Sequence, residues 1–124
     1  MKEKERAKEE KERILGLVGA SLERLLPEES LIIFFGSLIK GGFGRTSDID
    51  VAIFSSEKLS ARILAEIEKA LEELPLLRTI EVVDLKRIKN PEFIEKIIAE
   101  GYIWKSSEGA LSALREHLEN LKKS

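Results

Sequence analysis

Apolar residues recur at helical spacing from Ile14 onward: Ile14, Val18, Leu22 and Leu25 form one stripe, widened by Leu15 and Leu26. That period predicts an amphipathic helix, which Pro27 ends because its ring removes a backbone donor and clashes with the preceding turn. Residues 1–13, "MKEKERAKEEKER", alternate charge and offer nothing to bury, so they read as a solvated helical lead-in. "LIIFF" at 31–35 is an unbroken apolar run ahead of a glycine, the pattern of a central strand buried on both faces. "IDVAIF" at 49–54 predicts a second strand. Leu59, Ile63, Ile67, Leu71 and Leu74 predict a helix closed by Pro75. "RTIEVVDL" at 78–85 is β-branched and strand-like. In "NPEFIEKIIAEG", Asn90 is placed as N-cap, Pro91 at the first helical position and Gly101 beyond the end. "YIW" at 102–104 predicts a short edge strand. Leu111, Leu114, Leu118 and Leu121 mark an amphipathic C-terminal helix over 107–124. The order α-β-β-α-β-α-(β)-α is that of an α+β (α/β) protein, a small mixed β-sheet flanked by helices.

Length and composition narrow this picture. The 124 residues suit a single domain spanning 1–124, and 43% apolar content is enough for a core. Charged residues reach 35% but nearly cancel, to a net charge of −2, which lacks the basic excess expected of direct nucleic-acid binding. The absence of cysteine excludes disulfides, thiolate metal sites and a cysteine nucleophile. No apolar run approaches the ~20 residues of a membrane span and no secretory pattern opens the chain, so the expected location is the cytoplasm. The spacing of the C-terminal leucines fits either cover for the sheet or pairing between two subunits, a homodimer.

The chemistry concentrates in residues 36–50, "GSLIKGGFGRTSDID". Strand side chains alternate, so Asp48 and Asp50 share a face, roughly 6.5–7 Å apart at Cα, while Ile49, Val51 and Ile53 face the core. Two carboxylates this close repel unless a cation sits between them, and Mg²⁺ favours carboxylate oxygens together with substrate phosphates. Gly36, Gly41, Gly42 and Gly44 allow tight turns and close backbone approach to a ligand. A Gly36-Ser37 pair at a strand end presents N–H groups and a hydroxyl to phosphate oxygens, and Lys40 and Arg45 add positive charge. Asp84 alternates onto the face opposite Glu81 and reads as a strand-end or turn-capping residue. His117 flanks the last leucine stripe as a surface or interface residue, and Tyr102 and Trp104 read as core or interface.

The same stretch resembles the signature of the DNA polymerase β-like nucleotidyltransferases: Gly-Ser, three residues, Gly, five residues, then Ser-Asp-x-Asp. More narrowly, the short chain resembles the minimal nucleotidyltransferases of prokaryotes. The resemblance implies that Gly36, Ser37, Lys40, Gly41, Arg45 and Ser47 bind the nucleotide phosphates and that Asp48 and Asp50 bind metal. "EVVDL" places Glu81 where the family carries a third carboxylate, usually Asp, as a further metal ligand and catalytic residue. "PEFIEKIIAEGYIWKSS" is similar to the family's closing helix, glycine and short strand, so the resemblance runs from about residue 14 to 106. It implies a Mg²⁺- or Mn²⁺-dependent transfer of a nucleoside monophosphate, AMP from ATP, to an acceptor. It also implies a small helical HEPN-type partner, as in a toxin–antitoxin pair. Leu38 stands where the family loop commonly has Arg. That departure, with Glu81, leaves open an alternative in which the fold is a binding module, an antitoxin-like subunit without turnover.

Overall fold

The structure, a computed structural model, describes residues 2–42 and 48–123. In chain order its elements are α1 (Lys2–Leu25), β1 (Ser30–Phe35), a one-turn helix α2 (Ser37–Lys40), β2 (Ile49–Ser55) and α3 (Ala61–Glu72). Then come β3 (Ile80–Asp84), a 3₁₀ turn at Leu85–Arg87, α4 (Pro91–Glu100), β4 (Tyr102–Lys105) and α5 (Glu108–Lys123). The strands form a mixed sheet in the order β3-β2-β1-β4, with β1 antiparallel to both β2 and β4, and β2 parallel to β3. This is the α+β arrangement predicted from the pattern, with "YIW" at an edge as expected.

The two inner strands explain the unbroken apolar runs. Ile32 and Phe34 of β1, with Ile49, Val51 and Ile53 of β2, pack beneath α1 and α3. Leu31 and Ile33, with Ala52 and Phe54, face the opposite way and pack beneath α4 and α5. Each side chain of this size taken fully out of water contributes about 1.5–3 kcal/mol, so both layers are needed to hold the sheet. The charged lead-in continues directly into the apolar stripe as one helix, and only Ile14 onward meets the core. Ser60 caps α3 by accepting from Ile63 N, and Asn90 caps α4 by accepting from Glu92 N, with Pro91 in the first turn. Asp84 caps the 3₁₀ turn, accepting from Lys86 N at 3.1 Å, the role its strand-end position predicted.

One element departs from the pattern reading. Helix α2 falls where a glycine loop was expected, because four residues are too few to show a period; buried Leu38 anchors it. The C-terminal leucines cover the sheet: Leu114 is buried, Leu118 and Leu121 pack beside it, and only Leu111 is exposed. His117 is half-buried against Phe54, with ring centroids 6.0 Å apart, rather than on the surface. Among the described residues no helix is long and apolar enough to cross a membrane.

Helix α1 meets the β4 edge through one close approach. The Trp104 indole lies over Gly19, and it meets Phe34 edge-on at 6.3 Å. A Cβ at Gly19 would overlap the indole ring atoms. Gly19→Ala gains about 1 kcal/mol of helix propensity, but overpacking costs about 1–3 kcal/mol. The expected outcome is a net loss of stability despite a better helix former, read by urea denaturation, with a shifted Trp104 emission as the local signature.

Candidate active site

Two of the carboxylates meet at one end of the parallel pair β2–β3. Register places Asp50 of β2 directly beside Glu81 of β3, and Asp50 opposite Phe35 of β1 on its other side. Asp48 precedes β2 and is exposed. Ile49 and Val51 anchor the strand in the α1/α3 layer, which turns the intervening Asp50 toward the α4/α5 side. Val83 and Leu85 pack on that side as well, fixing Glu81 by the same alternation.

Gly36 closes the site from above. It follows β1 directly with φ 78° and ψ −158°, a backbone conformation that is essentially reserved for glycine. A Cβ there would overlap Asp50 Oδ2, so the turn can approach the carboxylate only without a side chain. The Gly36 carbonyl accepts from Ile39 N and Lys40 N at 3.1 and 3.0 Å, which folds Ser37–Lys40 into its single turn. The first N–H groups of a helix have no acceptor within it, so Ser37 and Leu38 are the remaining first-turn donors. Gly41, with φ 104°, ends the turn by donating to Ser37 O.

The electrostatics follow from this crowding. The Asp50 carboxyl is pushed above its ordinary value of 3.8, first by burial, then by the charge and hydrogen bond of Glu81, then by the charge of Asp48. All these causes act in one direction. Because the folded value lies above the unfolded one, the folded chain binds the extra proton in the window between them. Stability from this group is therefore highest below the ordinary Asp range and falls as pH rises through the folded value. In metal-free protein, Asp50→Asn is expected to flatten that fall and to gain roughly 0.2–1 kcal/mol at neutral pH, the scale of a cross-strand pair. Chemical denaturation of both proteins with a chelator present, over acid to neutral pH, reads the difference.

The donor set fits a hard divalent cation. Among the described residues no group of three His, Cys, Asp or Glu side chains converges as a ready-made cage. Asp50 and Glu81 are drawn together and Asp48 stands to the side, outside the strand. Mg²⁺ is commonly held by one or two carboxylates with phosphate oxygens and water completing its shell, so a closed protein cage is not required. A carboxylate such as Asp50, whose proton affinity its acidic neighbours raise, is also poised to gain from a cation.

The predicted phosphate ligands are placed unevenly. Gly36, Ser37 and Gly41 frame the turn beside Asp50, whereas Arg45 and Ser47 lie outside the described residues. Lys40 is paired with Glu100 of α4 at 2.8 Å, and this contact holds the Glu100 carboxyl below its usual range. The pair borders a small pocket of about 140 Å³ beside Gly36, with Phe35, Phe93 and Ile97 on its apolar side and Lys96 on its charged side. The sequence reading missed Phe93, Lys96 and Glu100. Their signal was present: they lie three and four residues apart on α4, one face beside the Ile94 and Ile97 stripe.

The family model described as polymerase beta, nucleotidyltransferase matches residues 22–108 of the chain. No curated protein matches it at a significant level. Among solved structures it is similar to a toxin–antitoxin crystal structure with AMP-PNP, at 19% identity and TM-score 0.59, covering 87% of this chain and 90% of that one. It is similar as well to a mutant of the toxin–antitoxin MntA-HpeT, at 20% identity and TM-score 0.60, covering 86% and 87%. A third similar structure is a tri-AMPylated Shewanella oneidensis HEPN toxin in complex with MNT antitoxin, at 18% identity and TM-score 0.56, covering 94% and 91%. At these identities the likeness is one of fold.

Proposed function

The chain belongs to the polymerase β nucleotidyltransferase family, and from that premise we propose that it transfers AMP from ATP to a hydroxyl on a partner protein. The observation that carries this reading is the register that sets Asp50 beside Glu81, with Gly36 pressed against Asp50 at the head of a helical turn. Asp48, Asp50 and Glu81 would hold a divalent cation, Mg²⁺ or Mn²⁺, whose chemistry is to neutralise charge building on the phosphoryl oxygens. The Ser37 hydroxyl and first-turn N–H groups would orient the triphosphate, with Lys40, Arg45, Ser47 and the Gly41 turn as its further neighbours. In the transfer, the acceptor oxygen forms a bond to the α-phosphorus, and the bond from that phosphorus to the β-phosphate oxygen breaks. Pyrophosphate leaves with the electron pair. Glu81, the carboxylate on the exposed edge strand, would receive the acceptor proton before it passes to water.

A HEPN-type helical protein is the proposed acceptor, and a cytoplasmic toxin–antitoxin pair the proposed setting. The support is the similarity in fold to complexes that pair an MNT antitoxin with a HEPN toxin. A second reading, a binding subunit without turnover, is favoured by one observation. Leu38 is buried at 4% exposure, so the position after Gly-Ser supplies no side-chain contact to phosphate, and Lys40 is engaged by Glu100. Incubation with α-phosphate-labelled ATP, Mg²⁺ and the product of the neighbouring gene separates the two. Transfer of label to that protein is expected; a stable complex that never acquires label leaves only the binding subunit.

A further inference from the structure

We propose that the open edge of β3, together with the groove between β3 and α3, docks an extended, net-basic polypeptide segment as an added strand. The inference rests on the proposed transferase reading only in naming that segment as part of the acceptor. Strand β3 ends the sheet, and its outer side has no strand partner among the described residues. Its pairing with β2 fixes which backbone groups are free. Ile49 pairs with Ile80 and donates to Thr79 O at 2.9 Å. In a parallel ladder a residue bonds to the two neighbours of its partner, so the peptide groups of Thr79, Glu81 and Val83 turn inward. Those of Ile80 and Val82 consequently turn outward, where they can pair with another chain.

The side chains of these outward-turned residues line a groove of about 730 Å³. Leu64, Ile67 and Leu71 of α3, with Leu76, form its other apolar wall. An added strand bonded to Ile80 and Val82 would send alternate side chains into this groove, the arrangement by which extended peptides gain both affinity and selectivity. The rim decides the charge of the occupant. Glu68, Glu72, Glu81 and Asp84 border the groove against Arg78 and Arg87, the last engaged by Asp84 at 3.9 Å, which leaves the rim net acidic. Glu81 belongs to both the groove and the carboxylate site, so a segment docked here would run past the reacting end of β2.

The other sheet edge is a poorer template. Strand β4 has four residues, and its register with β1 shifts between Ile32 and Ile33. Such an irregularity is one of the devices that discourage edge pairing. The β2–β3 ladder runs through five pairs without a shift, and β3 itself contains no Pro, Lys or Arg.

Selection of short random peptides on the full chain, without ATP, tests this directly. Enriched peptides are expected to alternate apolar residues, to carry net positive charge and to protect the amides of Ile80 and Val82 from hydrogen exchange. Val82→Pro removes an outward N–H at a position where an edge strand tolerates proline. Leu64→Lys places an ammonium in the groove without touching the strand. Each is expected to weaken the selected peptides at least about tenfold while leaving the binding of a fluorescent ATP analogue unchanged. The proposal is overturned by peptides that bind both variants as well as the parent, by protection at Tyr102–Lys105 instead, or by failure to enrich any peptide. It is equally overturned by a concentration-dependent dimer that Val82→Pro dissolves, which would make a second copy the occupant. Edge binding without label transfer would sink the transferase reading alone, and transfer indifferent to both variants would sink the docking alone.

Discussion

Asp50→Ala is expected to lower nucleotidyl transfer by at least about a thousandfold while leaving the metal-free protein as stable as the parent or more so. The rate term follows from what the carboxylate does in the proposed site. A metal-assisted phosphoryl step draws several kcal/mol of charge stabilisation from the bound cation, and each 1.36 kcal/mol is about tenfold in rate. Asp50 is the carboxylate at the centre of the group, with Glu81 across the ladder and Asp48 two residues before it. Truncating it removes a donor from the middle of the set. The stability term runs the other way, because burial and both neighbours push Asp50 toward its protonated form, so ionised Asp50 is a cost of the fold without metal. A residue that merely held the strand would show the opposite pairing, lost activity with lost stability. Label transfer from ATP reads the first term, and urea denaturation with a chelator reads the second. Titration of Mn²⁺ by its paramagnetic resonance signal supplies a third measure independent of turnover: weakened binding in Asp50→Ala is expected. Unaltered Mn²⁺ binding and transfer would remove Asp50 from the site altogether.

How far the site could be read in advance depends on the range of the interactions that build it. The facing of Asp50 was legible because alternation in a strand is local, and Ile49 and Val51 state which face is buried; Asp48 precedes the strand, where that alternation no longer governs it. The partnership of Asp50 with Glu81 is different. It depends on the parallel register of two strands separated by a whole helix, and no local pattern carries that register. Only the family resemblance pointed to Glu81, and the ladder then placed it directly beside Asp50. Helix α2 was hidden for the converse reason: a single turn of four residues has no period to display, and its glycines spoke for a loop. Lys40 was read as a loop residue adding positive charge toward phosphate, and it pairs with Glu100. That contact joins the chain across sixty residues and depends on where α4 crosses the end of β1. The core was easier. Its residues follow the helical and strand periods closely, so both apolar layers were implied by the pattern, although which helices cover which face was not.

Gly36→Ala is the sharpest test of the geometry itself, expected to cost about 2–4 kcal/mol of stability and about a hundredfold in transfer rate. Two separate penalties combine in that substitution. The first is backbone strain: φ 78° with ψ −158° lies where a residue with a Cβ is held only at a cost of about 1–3 kcal/mol. The second is contact, since the new methyl would overlap Asp50 Oδ2 and must drive that carboxylate aside. A displacement near 1 Å at a reacting group is enough for a loss on the order of a hundredfold, which sets the kinetic expectation. The two penalties separate in a double-mutant cycle with Asp50→Ala. In that background the strain persists but the overlap has no partner, so Gly36→Ala should cost less by roughly 0.5–3 kcal/mol, the range found for residues in contact. A coupling energy of zero would mean that the turn does not press on Asp50, and the close approach that defines this site would be wrong. A coupling of the expected size, with lost transfer in the single variant, would show that glycine at 36 serves the position of a carboxylate as much as the path of the chain.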